Sequence, residues 1–524
     1  HYWFHAVRGR RLPHPQLIAP KDIPHVAEHA TAIPNASRTR LRHGVAAGLL
    51  TAALAGCGTL APRPAEVAPP IPADWIGLAE ADAAATPATP AAVVGWEAYF
   101  RDPLLQRLIR ITLDNNRDLR IAALRAEEAR AAFRIQRSEQ FPALGVNAQG
   151  ARARVPGGLN ASGVSVVGGE YRAEVGLSSW ELDLWGRVHH LKTSALEQWL
   201  ASEAGRHAVE LALVAQVADG YLGLRELDER VALARRTVDT RAESFRIFSR
   251  RFEVGAASKL ELTQVQTLLT QAQALLAQLE LARAQQAHAL GQLVGAHPGP
   301  LPEAAPFDEA LVLSELSPAL PSDLLIARPD IIAAEHRLRA ANANIGAARA
   351  AFFPRIALTG GWGSASAELD GLFDSGSRAW TFAPVLSLPI FDGGRRRANL
   401  ALSEVREDIA VAEYEKSIQT AFREVADALA ARRWLGEQRD VQRVALDAAA
   451  ERARLAQLRY DHGSAAYREV RDAQRDLLAA EQQLVQARRA LLSSQVALYA
   501  ALGGGSAGRV PAATDSPSDS NSAR

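Results

Sequence analysis
The sequence predicts an internally duplicated α+β membrane protein in which long coiled-coil helices follow pairs of short amphipathic strands. Three observations carry that prediction. Apolar residues recur at heptad spacing over long proline-free stretches, period-two segments stand ahead of those stretches, and the arrangement returns at an offset of 208 residues.

The 524 residues carry a net charge of +1, which leaves no electrostatic case for a nucleic-acid partner or an acidic surface. Aromatics are sparse while Ala, Leu, Arg, Glu and Gln abound, a composition that favours long helices. No run of 18 or more apolar residues is present, so no membrane-spanning helix is expected. The short alternating strands of a β-barrel stay open as a way to cross a bilayer.

Residues 1–56 read as an upstream segment and a lipoprotein signal peptide. The first 37 hold five of the 13 histidines (His1, His5, His14, His25 and His29) at irregular spacing. Unstructured sequence outside the mature protein is expected there, not a metal site. Arg38, Arg40 and Arg42 form a basic region ahead of the short apolar run Val45 to Ala55, the pattern of a secretory signal. Leu54-Ala55-Gly56-Cys57 then resembles the bacterial lipobox, which makes Cys57 the expected lipidation site and first mature residue. As the sole cysteine it forms no intrachain disulfide. Gly58, where an aspartate would resemble an inner-membrane retention signal, favours the outer membrane. Residues 57–95 are the lipid anchor and an extended Ala/Pro-rich tether.

Residues 96–300 form the first structural repeat. After Phe141-Pro142, the residues Leu144, Val146 and Ala148 alternate with Gly145, Asn147 and Gln149. Beyond a Gly-rich loop, Tyr171, Ala173, Val175 and Leu177 alternate with Arg172, Glu174, Gly176 and Ser178. Such period-two runs are strands, each of about ten residues, the length a tilted barrel strand needs to cross a membrane. No proline occurs between Pro156 and Pro298, and Val217, Leu224, Val231, Val238, Phe245 and Phe252 recur every seven residues. A single helix over 187–253 would span about 100 Å, far more than a globular domain uses. Gly255 is expected where that helix reverses, supplying a positive φ. Downstream, Leu262, Val265, Leu269, Ala272, Leu276 and Leu279 alternate spacings of three and four, a coiled-coil seam.

A linker over 301–326 leads to the second repeat, 327–503. Phe353-Pro354 precedes Ile356, Leu358, Gly360 and Trp362, and Trp380, Phe382, Pro384, Leu386 and Leu388 form the returning strand. The turn Arg251-Phe252-Glu253-Val254-Gly255 reappears as Arg459-Tyr460-Asp461-His462-Gly463, which makes Gly463 the second helix tip. Val470, Ala473, Leu477, Ala480, Leu484 and Ala487 then repeat the seam, and six apolar matches in register argue for duplication. The heptads of the second long helix are poorer, with Arg432 and Arg439 at matching positions. Residues 504–524 are expected to be a disordered tail, and the Gly-rich composition begins at Gly503. Four strands cannot close a barrel and lipid tolerates no open sheet edge. Strands placed in a bilayer therefore require several chains to share one barrel, and the alternative is a soluble sheet capped by helices.

Several motifs resemble one family. They are Trp96-Glu97-Ala98-Tyr99-Phe100-Arg101-Asp102-Pro103-Leu104, the run through Asn115-Asn116-Arg117-Asp118-Leu119, and Ala327-Arg328-Pro329-Asp330-Ile331 with Ala334-Glu335. Ala340 to Ile345, Phe352-Phe353-Pro354 and Phe391-Asp392-Gly393-Gly394-Arg395 complete the pattern. Over Trp96 to Gly503 the chain resembles the TolC-like outer membrane efflux proteins, lipoprotein branch. That resemblance implies a homotrimer with a twelve-stranded barrel in the outer membrane, continued by a periplasmic helical tunnel that closes at its far tip. It implies a passive exit duct for small molecules, partnered by a periplasmic adaptor and an inner-membrane RND-type pump, with no cofactor beyond the lipid on Cys57. It also implies that Glu469 and Asp472, six and nine residues after Gly463, line the periplasmic aperture. Threefold symmetry would make them two acidic rings that attract cations. Residue type alone favours a solvated helix face, and it is the matched spacing from Gly463 that speaks for the aperture. Arg468 and Arg471 depart from the apolar residues common at this tip.

No catalytic constellation is present in the sequence, and an enzyme is not expected. Gly360-Gly361-Trp362-Gly363 lies within a strand pattern, with no phosphate-loop Lys-Ser or Lys-Thr after it. His189 and His190 point to different helix faces with no third ligand nearby in sequence, so a solvated pair is expected and no metal. Two other functions fit parts of the pattern. A duct for protein secretion shares the architecture, whereas a structural periplasmic or cytosolic coiled-coil protein leaves the paired strands unexplained.

Overall fold
The computed structural model describes residues 60–62, 91–296, 311–312, 316 and 323–506. The chain divides into two units, His1–Gly58 and Thr59–Arg524, and the described residues all belong to the second. The expected signal segment, Cys57, and most of the expected tether, linker and tail lie outside the described residues.

The first repeat runs α1 (Trp96–Tyr99), α2 (Pro103–Asn115), α3 (Arg117–Ser138), β1 (Leu144–Val155), β2 (Val166–Leu182), α4 (Arg187–Glu253) and α5 (Lys259–Val294). The second runs α6 (Asp323–Ala327), α7 (Pro329–Ala350), β3 (Arg355–Ser366), β4 (Arg378–Ser387), α8 (Arg395–Asp461) and α9 (Tyr467–Ala501). Both α4 and α8 are 67 residues long, and adding 208 to the bounds of α4 gives those of α8. The left-handed glycines keep the same offset. Gly186, Gly255 and Gly295 (φ +75°, +73°, +72°) answer to Gly394, Gly463 and Gly503 (φ +90°, +69°, +71°). These are the corners where each long helix starts, reverses and ends. No described helix is long and apolar enough to cross a membrane.

The strands form one antiparallel sheet in the order β1-β2-β3-β4. In register, Val146 faces Val175, which faces Trp362, which faces Trp380. That row belongs to an apolar face, because alternate residues share a side. The opposite face carries Asn147, Gln149, Arg172, Glu174 and Thr381 by the same parity. β2 departs from the expected length of about ten residues, running to 17. It is paired on both sides, reaching Val155 of β1 at one end and Ile356 of β3 at the other. A register shift between Leu177 and Trp180, with Ser179 at φ +37°, accommodates the extra length.

Both seams turn inward, with Leu262, Leu269, Leu276 and Leu477 only half-buried. Val265, Ala272 and Leu279 are buried in α5, and Val470, Ala473, Ala480, Leu484 and Ala487 in α9. The row on α4 is corrected in part. Val217, Leu224 and Val231 are buried, but the buried line then passes to Ala234, Arg241 and Phe248, leaving Phe252 39% exposed. A straight α-helix drifts about 20° per heptad against a strict seven-residue repeat, so one row of residues cannot face the same neighbour over its whole length.

The main core lies midway along the long helices, where α1, α2, the ends of α5 and α9, and the middles of α4 and α8 meet. Tyr99 and Tyr499 stack there at 4.3 Å, and the Tyr499 hydroxyl donates to the Val94 carbonyl (2.9 Å). The Gly-rich start of the tail, expected to be disordered, instead packs on the core over residues 503–506, where Gly505 N donates to Ala91 O (3.1 Å). Gly503 is a left-handed cap, and a Cβ on Gly504 would overlap the Tyr499 ring, so only glycine lets the chain pass.

Most of the family-like motifs turn out to be corners, whereas Ala340 to Ile345 lies inside α7. Asp102 caps α2 through Leu104 N (2.7 Å) and accepts the Tyr221 hydroxyl (2.6 Å). Asn116 caps α3 and donates to Leu293 O (2.7 Å). Arg328 is buried and binds Asp330 (2.6 Å), Glu424 (2.7 Å) and the Ala501 carbonyl (3.1 Å), joining α7 to α8 and α9. Trp185 stacks on Phe353 at 4.8 Å and donates to Pro354 O (2.8 Å), fixing the sheet on the helices.

Candidate functional site
The two helix tips are built alike. After α4, Gly255 N donates to Phe252 O (3.0 Å) and Ala256 N to Arg251 O (2.7 Å). After α8, Gly463 N donates to Tyr460 O (2.9 Å) and Ser464 N to Arg459 O (2.9 Å). This is the Schellman pattern, which satisfies the last carbonyls of a helix and places its left-handed residue at the reversal. Both expected tip glycines occupy that position.

The returning helices differ. Ser258 caps α5 in a reciprocal box: its Oγ accepts from Glu261 N (3.2 Å), and its own N–H donates to Glu261 Oε2 (2.7 Å). The equivalent cap of α9 is Ala466, which offers no side-chain bond. Glu469, at the position answering to Glu261, is therefore released from capping. It accepts from Arg459 Nη1 (2.9 Å) across the turn and is 47% exposed.

Asp472 lies one turn further on the same helix, half-buried. Its Oδ1 accepts from Arg471 Nη2 (3.1 Å), and Arg468 Nε stands 3.7 Å from Oδ2. The two acids thus sit together at the start of α9, and each is met by arginine. The basic residues that depart from the family pattern are the ones beside Asp472.

Beneath them is a buried cation. Arg241 is 5% exposed, and its Nη1 donates to Gln474 Oε1 (2.9 Å), joining α4 to α9. Burial lowers its pKa, Tyr467 opposes that shift, and the neighbouring Arg471 charge adds to it. A guanidinium stays charged at neutral pH regardless, and among the described residues Arg241 stands in no ion pair, its charge set against a neutral amide. Phe248 and Tyr467 lie alongside, with ring centroids 4.6 Å apart. Sequence reasoning missed Arg241 and Gln474. Their signal was a charged residue on the row Ala234, Arg241, Phe248, three residues from the heptad that was followed. Among the described residues no cluster of three or more His, Asp or Glu side chains could hold a metal ion. The expected solvated pair holds for His189 alone: His189 is exposed, whereas His190 is buried with its ring packed against Gly346.

Comparison with known proteins places this geometry. The family model described as outer membrane efflux protein matches residues 108–296 and 320–504. The solvent efflux pump outer membrane protein SrpC of Pseudomonas putida is 45% identical over 455 residues, 86% of this chain and 96% of that protein. A crystal structure of a membrane protein from Pseudomonas aeruginosa superposes with a TM-score of 0.80 at 42% identity, covering 85% of this chain and all of the other. The open state of the MtrE outer membrane channel of Neisseria gonorrhoeae gives 0.76 at 38% identity, over 86% of this chain and 98% of that one.

Proposed function
The chain belongs to the outer membrane efflux protein family, and from that premise we propose how its parts divide the work of an exit duct. It is the outer-membrane channel of an efflux system, reaching into the periplasm. Three chains pool their sheets into one twelve-stranded barrel, and the long helices continue it as a tunnel. One observation carries this reading: the sheet has an apolar face and a polar face, and β1 and β4 have no strand beyond them among the described residues. Open edges are not tolerated in lipid, and three such sheets joined edge to edge have none.

Conduction through such a duct is passive. An inner-membrane RND-type pump supplies the energy, and a periplasmic adaptor joins pump to duct. SrpC serves solvent efflux by its name, and small organic molecules of that class are the cargo this reading assigns here. The chain carries no reaction and no cofactor of its own. A lipid on Cys57, supported by the lipobox ahead of it, adds an anchor at the membrane.

Glu469 and Asp472 line the periplasmic aperture. Their place in the first turns of α9, just past the left-handed Gly463, supports this role, as does the alanine that frees Glu469 from capping. Arg459, Arg468 and Arg471 moderate the negative rings, so cation preference is expected to be mild. The test is single-channel recording of the trimer in planar bilayers with Glu469→Ala and Asp472→Ala combined. Lower cation preference with altered conductance is expected. Wild-type values for both would place the aperture elsewhere.

A further inference from the structure
We propose that the lipid-facing side of the barrel carries an arginine collar, Arg152, Arg154 and Arg378, that binds the phosphate groups of anionic lipid in the outer leaflet. The inference rests on reading the sheet as part of a membrane barrel. Side-chain parity places the three residues. On β1, Arg152 and Arg154 share the side of Val146, and their partners on β2 are Gly169 and Val167. On β4, Arg378 faces Ser364, two residues from the Trp362–Trp380 pair on the same side. All three therefore lie on the apolar face, which turns toward lipid because the other face holds Glu170, Arg172 and Glu174.

The collar sits at one end of that face. The long helices join the sheet at the Leu182 end of β2 and the Ser387 end of β4. Arg152, Arg154 and Arg378 lie toward the opposite end, beside the β1–β2 and β3–β4 loops, the end away from the periplasm. The two faces treat charge differently. On the inner face, Arg172 is paired with Glu170 at 2.8 Å and with Glu174 at 3.9 Å. On the outer face, the three arginines are exposed and stand in no ion pair among the described residues, and Arg154 reaches only Ser165 Oγ at 3.4 Å. Unneutralised guanidinium groups directly above an apolar band suit a lipid whose headgroup is anionic and whose chains pack below. Guanidinium binds phosphate by paired N–H donors, a geometry an ammonium lacks.

The test uses the full-length trimer, delipidated in a mild non-ionic detergent and followed by native mass spectrometry. Bisphosphorylated lipid A, its dephosphorylated form and inorganic phosphate are added separately, and bilayer conductance is recorded on the same samples. The wild type is expected to bind the bisphosphorylated lipid in preference to both others. Arg152→Gln, Arg154→Gln and Arg378→Gln together are expected to weaken that binding roughly a hundredfold, since each arginine near an anionic lipid contributes a factor of about five. Trimer mass and conductance should stay at wild-type values, because the collar faces away from the lumen. Arg172→Gln, which removes one charge from the inner face, should leave lipid binding unchanged. Equal binding of the two lipid forms, or undiminished binding by the triple variant, would overturn the collar. Inorganic phosphate binding as tightly as the lipid would overturn the lipid assignment. A wild type that neither trimerises nor conducts would overturn instead the barrel reading beneath it.

Discussion

Arg251 Nη1 donates a 2.7 Å hydrogen bond to the Tyr460 hydroxyl, tying the last turn of α4 to the last turn of α8. The bond closes a small circuit. Tyr460 meets Tyr467 at 5.4 Å, Tyr467 meets Phe248 at 4.6 Å, and the Arg251 guanidinium stacks over Phe248 at 5.5 Å. The tips of the two repeats are thus held together by one hydrogen bond and one ring contact, while the other two contacts brace each tip internally.

Tyr460→Phe removes the hydrogen bond and keeps the ring. An exposed bond of this kind contributes about 1 kcal/mol. Amide hydrogen exchange across residues 248–256 and 457–468 should accelerate roughly fivefold. Exchange unchanged in both tips would mean that Arg251 and Tyr460 do not hold them.

The Arg241–Gln474 pair makes an asymmetric prediction. Gln474→Ala leaves a buried guanidinium without its acceptor and should cost about 1–3 kcal/mol. Arg241→Met fills the same space without a charge and should be neutral or stabilising by about 1 kcal/mol, in keeping with the replacement of buried charge by apolar side chains. Thermal unfolding of the two variants checks the order. Equal losses would show that Arg241 is worth more than its desolvation costs.

The glycines separate backbone strain from crowding. A Cβ at Gly255 or Gly463 meets nothing within 4 Å, so Gly255→Ala and Gly463→Ala should each cost only the strain of the left-handed region, about 1–2 kcal/mol. Gly504→Ala drives a methyl group into the Tyr499 ring and should cost more than either. Ranking the three by unfolding temperature tests the packing of Tyr99 on Tyr499.

Much of the fold could be read in advance, and particular residues show why. Gly255 and Gly463 mark the helix reversals because few other residues adopt a positive φ, a constraint that acts within one turn of chain. The bounds of α4 follow from the absence of proline and the spacing of Val217, Leu224 and Val231. β2 was underestimated because its length depends on pairing with β1 and β3 at once, and its bulge at Ser179 has no local signal. Phe248 and Arg241 have no signal in the heptad of Val217 because the buried row shifts by three residues after Val231, as the helix turns relative to its neighbours. At the candidate aperture, Glu469 and Asp472 could be located by their distance from Gly463. Arg459, ten residues before Glu469 across a turn, could not be paired with it until the turn geometry was known.

The lipid anchor is testable independently. Mass spectrometry of the mature N-terminal peptide should show Cys57 triacylated and first in the chain. Three acyl chains hold a protein far more firmly than one, since each buried CH₂ adds about 0.8 kcal/mol. Cys57→Ser should weaken localisation while leaving barrel assembly intact. An unmodified Cys57 within a longer intact chain would refute the anchor.

The shared barrel is tested most directly by native mass spectrometry of the protein in mild detergent, with circular dichroism on the same preparation. A mass of three chains, with the β signal lost when the assembly is dissociated, is the predicted result. A stable single chain that keeps its full β content would contradict it, because the open edges of β1 and β4 would then need no neighbours.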